Sequence, residues 1–285
     1  MRNLLLLGII VLLVSCKNKQ DVSESKQSIP IGEQIANAFE NNDWDRVILL
    51  TDSVYKSGEN ISGLTLAYAQ ALRETGRIEE SIEVLNKEIE NKESSIQKHY
   101  LYNELGRAYN MIEDYDNGIK AYNHALEIAP SYARSLVGLA DLYEHKGNIS
   151  EAIYYYDHAA LFFYENGFSE ELLAIGLKMT EIAPENEKSW DVLSKAYKTN
   201  GDYEGEEKCL QRQMAILLKE KEYITNENDK ETFVLSMIEL SIAQFNLNKF
   251  DECMSSIQWL RNNTNSLGGY EEEIQSIEKE CKKHL

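Results

Sequence analysis

The sequence predicts an all-α chain built from repeated antiparallel helix pairs, and three observations carry that prediction. From Ile29 onward apolar residues recur at helical spacing almost everywhere, and no stretch alternates with period two over a strand's length. Only three prolines occur, Pro30, Pro130 and Pro184, and none lies inside a periodic segment. A frame of 34 residues recurs along the chain, with a turn signature before the second helix of each copy.

Residues 99–132 show the frame best. Tyr102, Tyr109 and Tyr122 supply bulk, while Gly106, Gly118 and Ala125 stand where two antiparallel helices approach closely. Leu105 precedes Gly106, and Pro130 ends the unit because it lacks the N–H needed to continue a helix. The frame runs without a gap into 133–166, through Leu136, Leu139-Ala140, Tyr143, Gly147, Ala152, Tyr156 and Ala159. Residues 187–220 repeat it with Trp190, Leu193-Ser194, Tyr197, Gly201 and Leu210, and 62–95 with Ala69, Leu72, Gly76, Ser81, Ile82 and Leu85. Weaker copies occupy 28–61 and 234–267. The turn signatures are Asn42-Asp43-Trp44, Gly76-Arg77-Ile78, Glu113-Asp114-Tyr115, Gly147-Asn148-Ile149, Gly201-Asp202-Tyr203 and Asn248-Lys249-Phe250.

These residues resemble the tetratricopeptide repeat (TPR) pattern over most of 28–267, which implies an α-solenoid of stacked helix pairs. Two departures are expected to mark it. Pro130 and Pro184 lie one frame plus 20 residues apart, so an extra helix is predicted at 169–183. That helix changes parity and should interrupt the superhelix, leaving two surfaces. The preceding helix, residues 151–165, is aromatic nearly all round and is expected to be buried on all faces. Residues 221–233 read as a polar interruption, and 270–284 as a charged helix capping the last repeat.

Ahead of the repeats, Arg2 precedes an apolar run from Leu4 to Val14 that ends in Ser15-Cys16. The run is too short to span a bilayer, which takes about 20 residues, and it has the layout of a secretory signal. The ending resembles the lipobox of bacterial lipoproteins. That resemblance implies removal of residues 1–15, acylation of Cys16 and a flexible tether over 16–28. Lys17 after the cysteine favours an outer-membrane destination over retention in the inner membrane. The other cysteines, Cys209, Cys253 and Cys281, have no metal-ligand spacing; an export compartment would permit a disulfide, against the plainer reading of the first two as small buried helix residues and the last as a free thiol.

Charge narrows the partners. With 29 Lys and Arg against 48 Asp and Glu, the net charge is -19, which disfavours nucleic acid and the anionic membrane face alike. Membrane contact is therefore expected through lipid alone. No H-E-x-x-H, phosphate-binding glycine loop or G-x-S-x-G occurs, so neither an enzymatic site nor a cofactor nor a metal is expected. Asp141 and His145 lie four apart on one helix, the spacing of a solvated pair.

In the family, first helices line a concave face, and the positions that point into it select Arg73, Tyr100, Asn103, Arg107, Asn110, Arg134, Asp141 and His145 here. A second block gives Lys188, Asp191, Lys195 and Lys198. Most are basic or amide residues in an acidic protein. They read either as a groove for an acidic or carboxylate-bearing peptide, with arginine forming forked hydrogen bonds, or as cations solvating a helix face. Leu66 and Gln70 stand where the carboxylate clamp of cytosolic chaperone partners begins, so that clamp does not carry over. The expected function is a non-enzymatic, membrane-anchored scaffold or adaptor that binds a protein or peptide segment in the bacterial envelope. The alternative is an accessory lipoprotein for glycan or nutrient capture. TPR-containing surface lipoproteins of that kind in Bacteroidetes are longer, with insertions this chain lacks.

Overall fold

The computed structural model describes residues 29–57, 63–92, 94, 96–220, 227–264 and 267–285. The signal segment 1–15, Cys16 and the tether to residue 28 lie outside the described residues. Fourteen α-helices follow one another, and no strand occurs among the described residues. They divide into two compact units, one ending at Asn148 and the other beginning at Ile149.

The first unit holds α1 (Ile31–Glu40), α2 (Trp44–Ser57), α3 (Leu64–Glu74), α4 (Ile78–Glu90), α5 (Lys98–Met111), α6 (Tyr115–Ile128) and α7 (Ala133–His145). Each helix packs on the next, and α5 also packs on α3 and α7. The first helices of successive repeats therefore stand side by side. Ile35, Phe39, Val47 and Leu72 form one apolar cluster of this unit; Leu85, Leu101, Leu105 and Ala121 form another.

The second unit holds α8 (Ile149–Glu165), α9 (Ser169–Ile182), α10 (Glu187–Thr199), α11 (Tyr203–Glu220), α12 (Glu227–Asn246), α13 (Phe250–Asn263) and α14 (Glu271–Cys281). The extra helix expected at 169–183 is α9. Here α8 packs on α9 and α10, and α12 on α14, so α8 holds the place that first helices hold in the other unit. The division of the chain falls ahead of α8, and not at 169–183.

One hinge geometry recurs at the turns. Asn42, Gly76, Glu113, Gly147, Gly167, Gly201 and Asn248 all have positive φ, between 56° and 80°. The residue after each donates its N–H back across the turn, as in Arg77 to Leu72 (2.8 Å), Asp114 to Tyr109 (3.0 Å) and Asp202 to Tyr197 (2.9 Å). This is the Schellman closure of a helix C-terminus. In three turns that next residue is an aspartate that also caps the following helix: Asp43 accepts from Arg46, Asp114 from Asn117 and Asp202 from Gly205. The turn signatures of the sequence are thus a C-cap and an N-cap fused in two residues.

Two expectations are corrected. The polar interruption at 221–233 is helical from Glu227 on, and Phe233 is buried against Trp259, which anchors the start of α12. Residues 221–226 lie outside the described residues. The aromatic helix at 151–165 is not buried all round: Tyr154, Leu161 and Tyr164 are exposed, because the helix buries only the face carrying Ala152, Tyr156, Ala159 and Phe163.

Candidate functional site

The first unit contains a groove of about 620 Å³. Its walls come from α3, α5 and α7, with Phe39, Asn42 and Trp44 contributed by α1, the first turn and α2. Phe39, Arg73, Arg107 and Asp141 follow one another at the 34-residue spacing and all line it, one side chain from each first helix.

A buried carboxylate organises the floor. Glu104 on α5 is 3% exposed and lies 3.3 Å from Arg73 Nη2 and 3.1 Å from Arg107 Nη1. Burial pushes its carboxyl pKa upward, but the Arg107 and Arg73 guanidiniums outweigh that and hold it below the ordinary value. Burial lowers the pKa of Arg73, with Glu104 opposing. For Arg107 the attraction of Glu104 exceeds the burial penalty, and its pKa is raised. Asn103 donates from Nδ2 to Glu104 Oε1 at 3.2 Å, and Ser135 on α7 donates to Asn103 Oδ1 at 3.1 Å. A polar seam thus runs from α3 through α5 to α7.

The apolar part of the floor is Tyr122 of α6, which is 2% exposed yet reaches the groove. It does so because two glycines leave room. A Cβ on Gly138 would stand 2.3 Å from the Tyr122 ring, and one on Gly106 would stand 2.8 Å from it.

Of the residues expected on the concave face, Arg73, Asn103, Arg107, Asn110, Arg134 and Asp141 line this groove. Tyr100 does not: it packs in a ring cluster with His99 and Tyr132, at centroid distances of 4.0 and 5.7 Å. His145 is exposed beside Tyr115. The lysines of the second block sit in the other unit, each on a carboxylate: Lys188 on Asp157 (3.2 Å), Lys195 on Asp191 (2.5 Å) and Lys198 on Glu239 (3.1 Å). Sequence reasoning missed Glu104 and Gly138. Both stand in the column of Gln70, Glu104 one frame on and Gly138 two, and that column was their only signal.

Glu104 adds a third reason for the arginine cluster beside a ligand and a solvated face. Formally, Arg73, Arg107 and Arg134 are balanced by Glu74, Glu104 and Asp141 within and beneath the groove. Two of the arginines answer an internal acid. No group of His, Cys, Asp and Glu among the described residues could hold a metal ion.

Residues 97–160 match the tetratricopeptide repeat family. The chain is similar to solved structures of MamA (19% identity over 69% of this chain and 94% of that one, TM-score 0.41). It is also similar to a tetratricopeptide repeat protein from Parabacteroides merdae (13%, 88% and 97%, TM-score 0.39) and to the yeast Sti1 TPR2AB domain in complex with an HSP90 peptide (16%, 88% and 96%, TM-score 0.36). No curated protein matches the chain. The solenoid rests on the helix pairing above and on the matched repeats. A fold of this kind suggests a protein-interaction scaffold, a class that is typically non-enzymatic.

Proposed function

We propose that this chain is a non-enzymatic scaffold held at a bacterial membrane by an acylated Cys16, and that it docks a protein or peptide segment in the groove of its first unit. The observation that carries the docking is the groove itself, which draws side chains from three successive first helices and is large enough for several residues of an extended segment. Because Glu104 already pairs with Arg73 and Arg107, recognition of a partner acid falls to Arg134, in a groove that also presents the amide of Asn110 and the apolar side chains of Phe39 and Trp44. The segment we propose is therefore mixed, with one carboxylate and an apolar side chain.

The anchor is supported by the pattern Leu13-Val14-Ser15-Cys16 after a short apolar run. No helix among the described residues is long and apolar enough to cross a membrane. An outer-membrane site outside the cytoplasm follows from the same pattern with Lys17.

A photo-crosslinking residue at Asn110 tests the docking. It should link a discrete partner in the envelope, and Arg134→Glu should remove that link while helical content stays intact. The same probe at Ile128, exposed and away from the groove, should link nothing comparable. A partner captured equally from both positions moves the site elsewhere. Cys16→Ser should abolish acyl labelling and membrane retention; a processed Cys16→Ser protein still fully membrane-bound would remove the anchor.

A further inference from the structure

The three cysteines of the repeats do not behave alike. Cys209 is buried on α11. Cys253 on α13 and Cys281 at the end of α14 are both 0% exposed, and their sulfurs face each other at 3.5 Å. Cys253 also donates to the Ser241 carbonyl at 3.2 Å. Ile238, Ile257, Leu260, Ile274 and Ile277 surround the pair. The sequence reads Cys281 as a free thiol near the chain's end. The structure instead buries it, because Ile274, Ile277 and Cys281 share the inward face of α14.

We propose that Cys253 and Cys281 are a disulfide site, and that their bond fastens the terminal helix α14 to α13 when the chain meets a disulfide oxidant. A disulfide needs sulfurs about 2.05 Å apart. The two thiols are already in contact, and they sit where a small approach of a terminal helix and a side-chain rotation close the gap. Any small apolar residue would fill this space. Two thiols in sulfur contact, 28 residues apart in sequence, supply a cross-link that alanine or valine would not.

The chemistry is exchange with a small-molecule disulfide. One cysteine thiolate attacks the oxidant, forming a mixed disulfide and expelling one thiolate. The second cysteine thiolate then attacks the protein sulfur and expels the other half. Two S–H bonds are lost, one S–S bond forms, and the oxidant leaves as two thiols carrying both protons and both electrons. Burial pushes the Cys253 thiol pKa upward, so the docked helix reacts slowly. The bond therefore forms as α14 docks or when it opens locally. This inference is independent of the groove and of the lipid anchor; it needs only a disulfide oxidant.

The test refolds the full chain in oxidised and reduced glutathione, quenches with acid, alkylates and maps the peptides by mass spectrometry. The expected product is a linked pair containing Cys253 and Cys281, two hydrogens lighter than the reduced pair, with Cys209 alkylated. Cys253→Ser and Cys281→Ser should each leave the other cysteine alkylated. Limited proteolysis of the oxidised protein should cut at the C-terminal helix at least several-fold more slowly, and reductant should restore the rate. Alkylation of both cysteines after oxidative refolding, or a bond to Cys209 in their place, would overturn the site. An unchanged cutting rate in a protein with the bond formed would overturn the fastening.

Discussion

Glu104 in the first unit and Glu206 in the second are almost equally buried, at 3% and 2% exposure, yet their surroundings drive their carboxyls in opposite directions. Glu104 sits between two arginines, whose attraction exceeds the cost of burial and keeps it ionised. Glu206 shares one lysine with a second carboxylate. Lys198 is committed to Glu239 at 3.1 Å, and burial pushes the Glu206 pKa up to about 7, with Lys198 opposing the shift and Glu239 adding to it. Burial alone therefore does not decide whether a repeat's inner carboxylate is a charge or a neutral side chain. The count of cations on neighbouring helices decides it. In the first unit that count gives a charged seam under a groove; in the second it gives lysines neutralised in place.

The largest expected effect comes from removing the first hub. Glu104→Gln leaves Arg73 buried beside no acid but the more exposed Glu74, and should destabilise the protein by about 3–5 kcal/mol in chemical denaturation. The matching change in the second unit, Glu206→Gln, should stabilise it above neutral pH. A loss of similar size in both would break the comparison.

The second effect is its pH dependence. The folded-state pKa of Glu206 is raised from 4.5 to about 7, so folding favours the protonated form. Its contribution is fully present below about pH 4.5, is lost as pH rises through 7, and amounts to no more than about 3 kcal/mol. Denaturation midpoints of the wild type and Glu206→Gln, taken from pH 5 to pH 8, should diverge as pH rises, with the variant the more stable at the upper end. Parallel curves would show that Glu206 is ionised throughout.

Packing gives a third contrast. Gly138 and Gly205 each lie against a tyrosine, with built Cβ distances of 2.3 Å to Tyr122 and 2.7 Å to Tyr197. Tyr122 is buried and is also approached by Gly106, whereas Tyr197 is only half-buried. Gly138→Ala should cost about 1–3 kcal/mol, and Gly205→Ala distinctly less by the same denaturation measurement. Gly106→Leu, whose built Cβ stands 2.8 Å from the same ring, should behave like Gly138→Ala or worse.

What could be read from the sequence follows from range. The helices, the turns and the column of Arg73, Arg107 and Asp141 are set by spacing within one frame, which a single chain displays. Helix α9 was legible for the same reason, since Pro130 and Pro184 lie one frame plus a helix's length apart. The partners of the lysines were not. Lys188 meets Asp157 and Lys198 meets Glu239 across 31 and 41 residues, and no local pattern links such pairs. Glu104 escaped because acids abound in this chain, and only its place between Arg73 and Arg107 in space distinguishes it. The start of α12 read as a polar interruption because its polar residues outnumber the buried anchor Phe233.

The smallest effect isolates the turn that both units share. Glu113 in the first unit and Gly201 in the second occupy the same hinge position, at φ 58° and 71°, and each is followed by an aspartate cap and a tyrosine. A left-handed backbone crowds the Cβ of an L-residue and costs it about 1 kcal/mol or somewhat more, while glycine adopts it freely. Nothing lies within 4 Å of a Cβ built on Gly201, so a side chain there meets only that backbone cost. Glu113→Gly should therefore stabilise the protein and Gly201→Glu destabilise it, each by about 1 kcal/mol or less once the extra freedom of glycine in the unfolded chain is set against it. The swapped pair together should nearly cancel, because the two turns lie in separate units and share no partner. If Glu113→Gly instead loses stability, the glutamate side chain makes an interaction that outweighs its strain, and the two hinges are not equivalent.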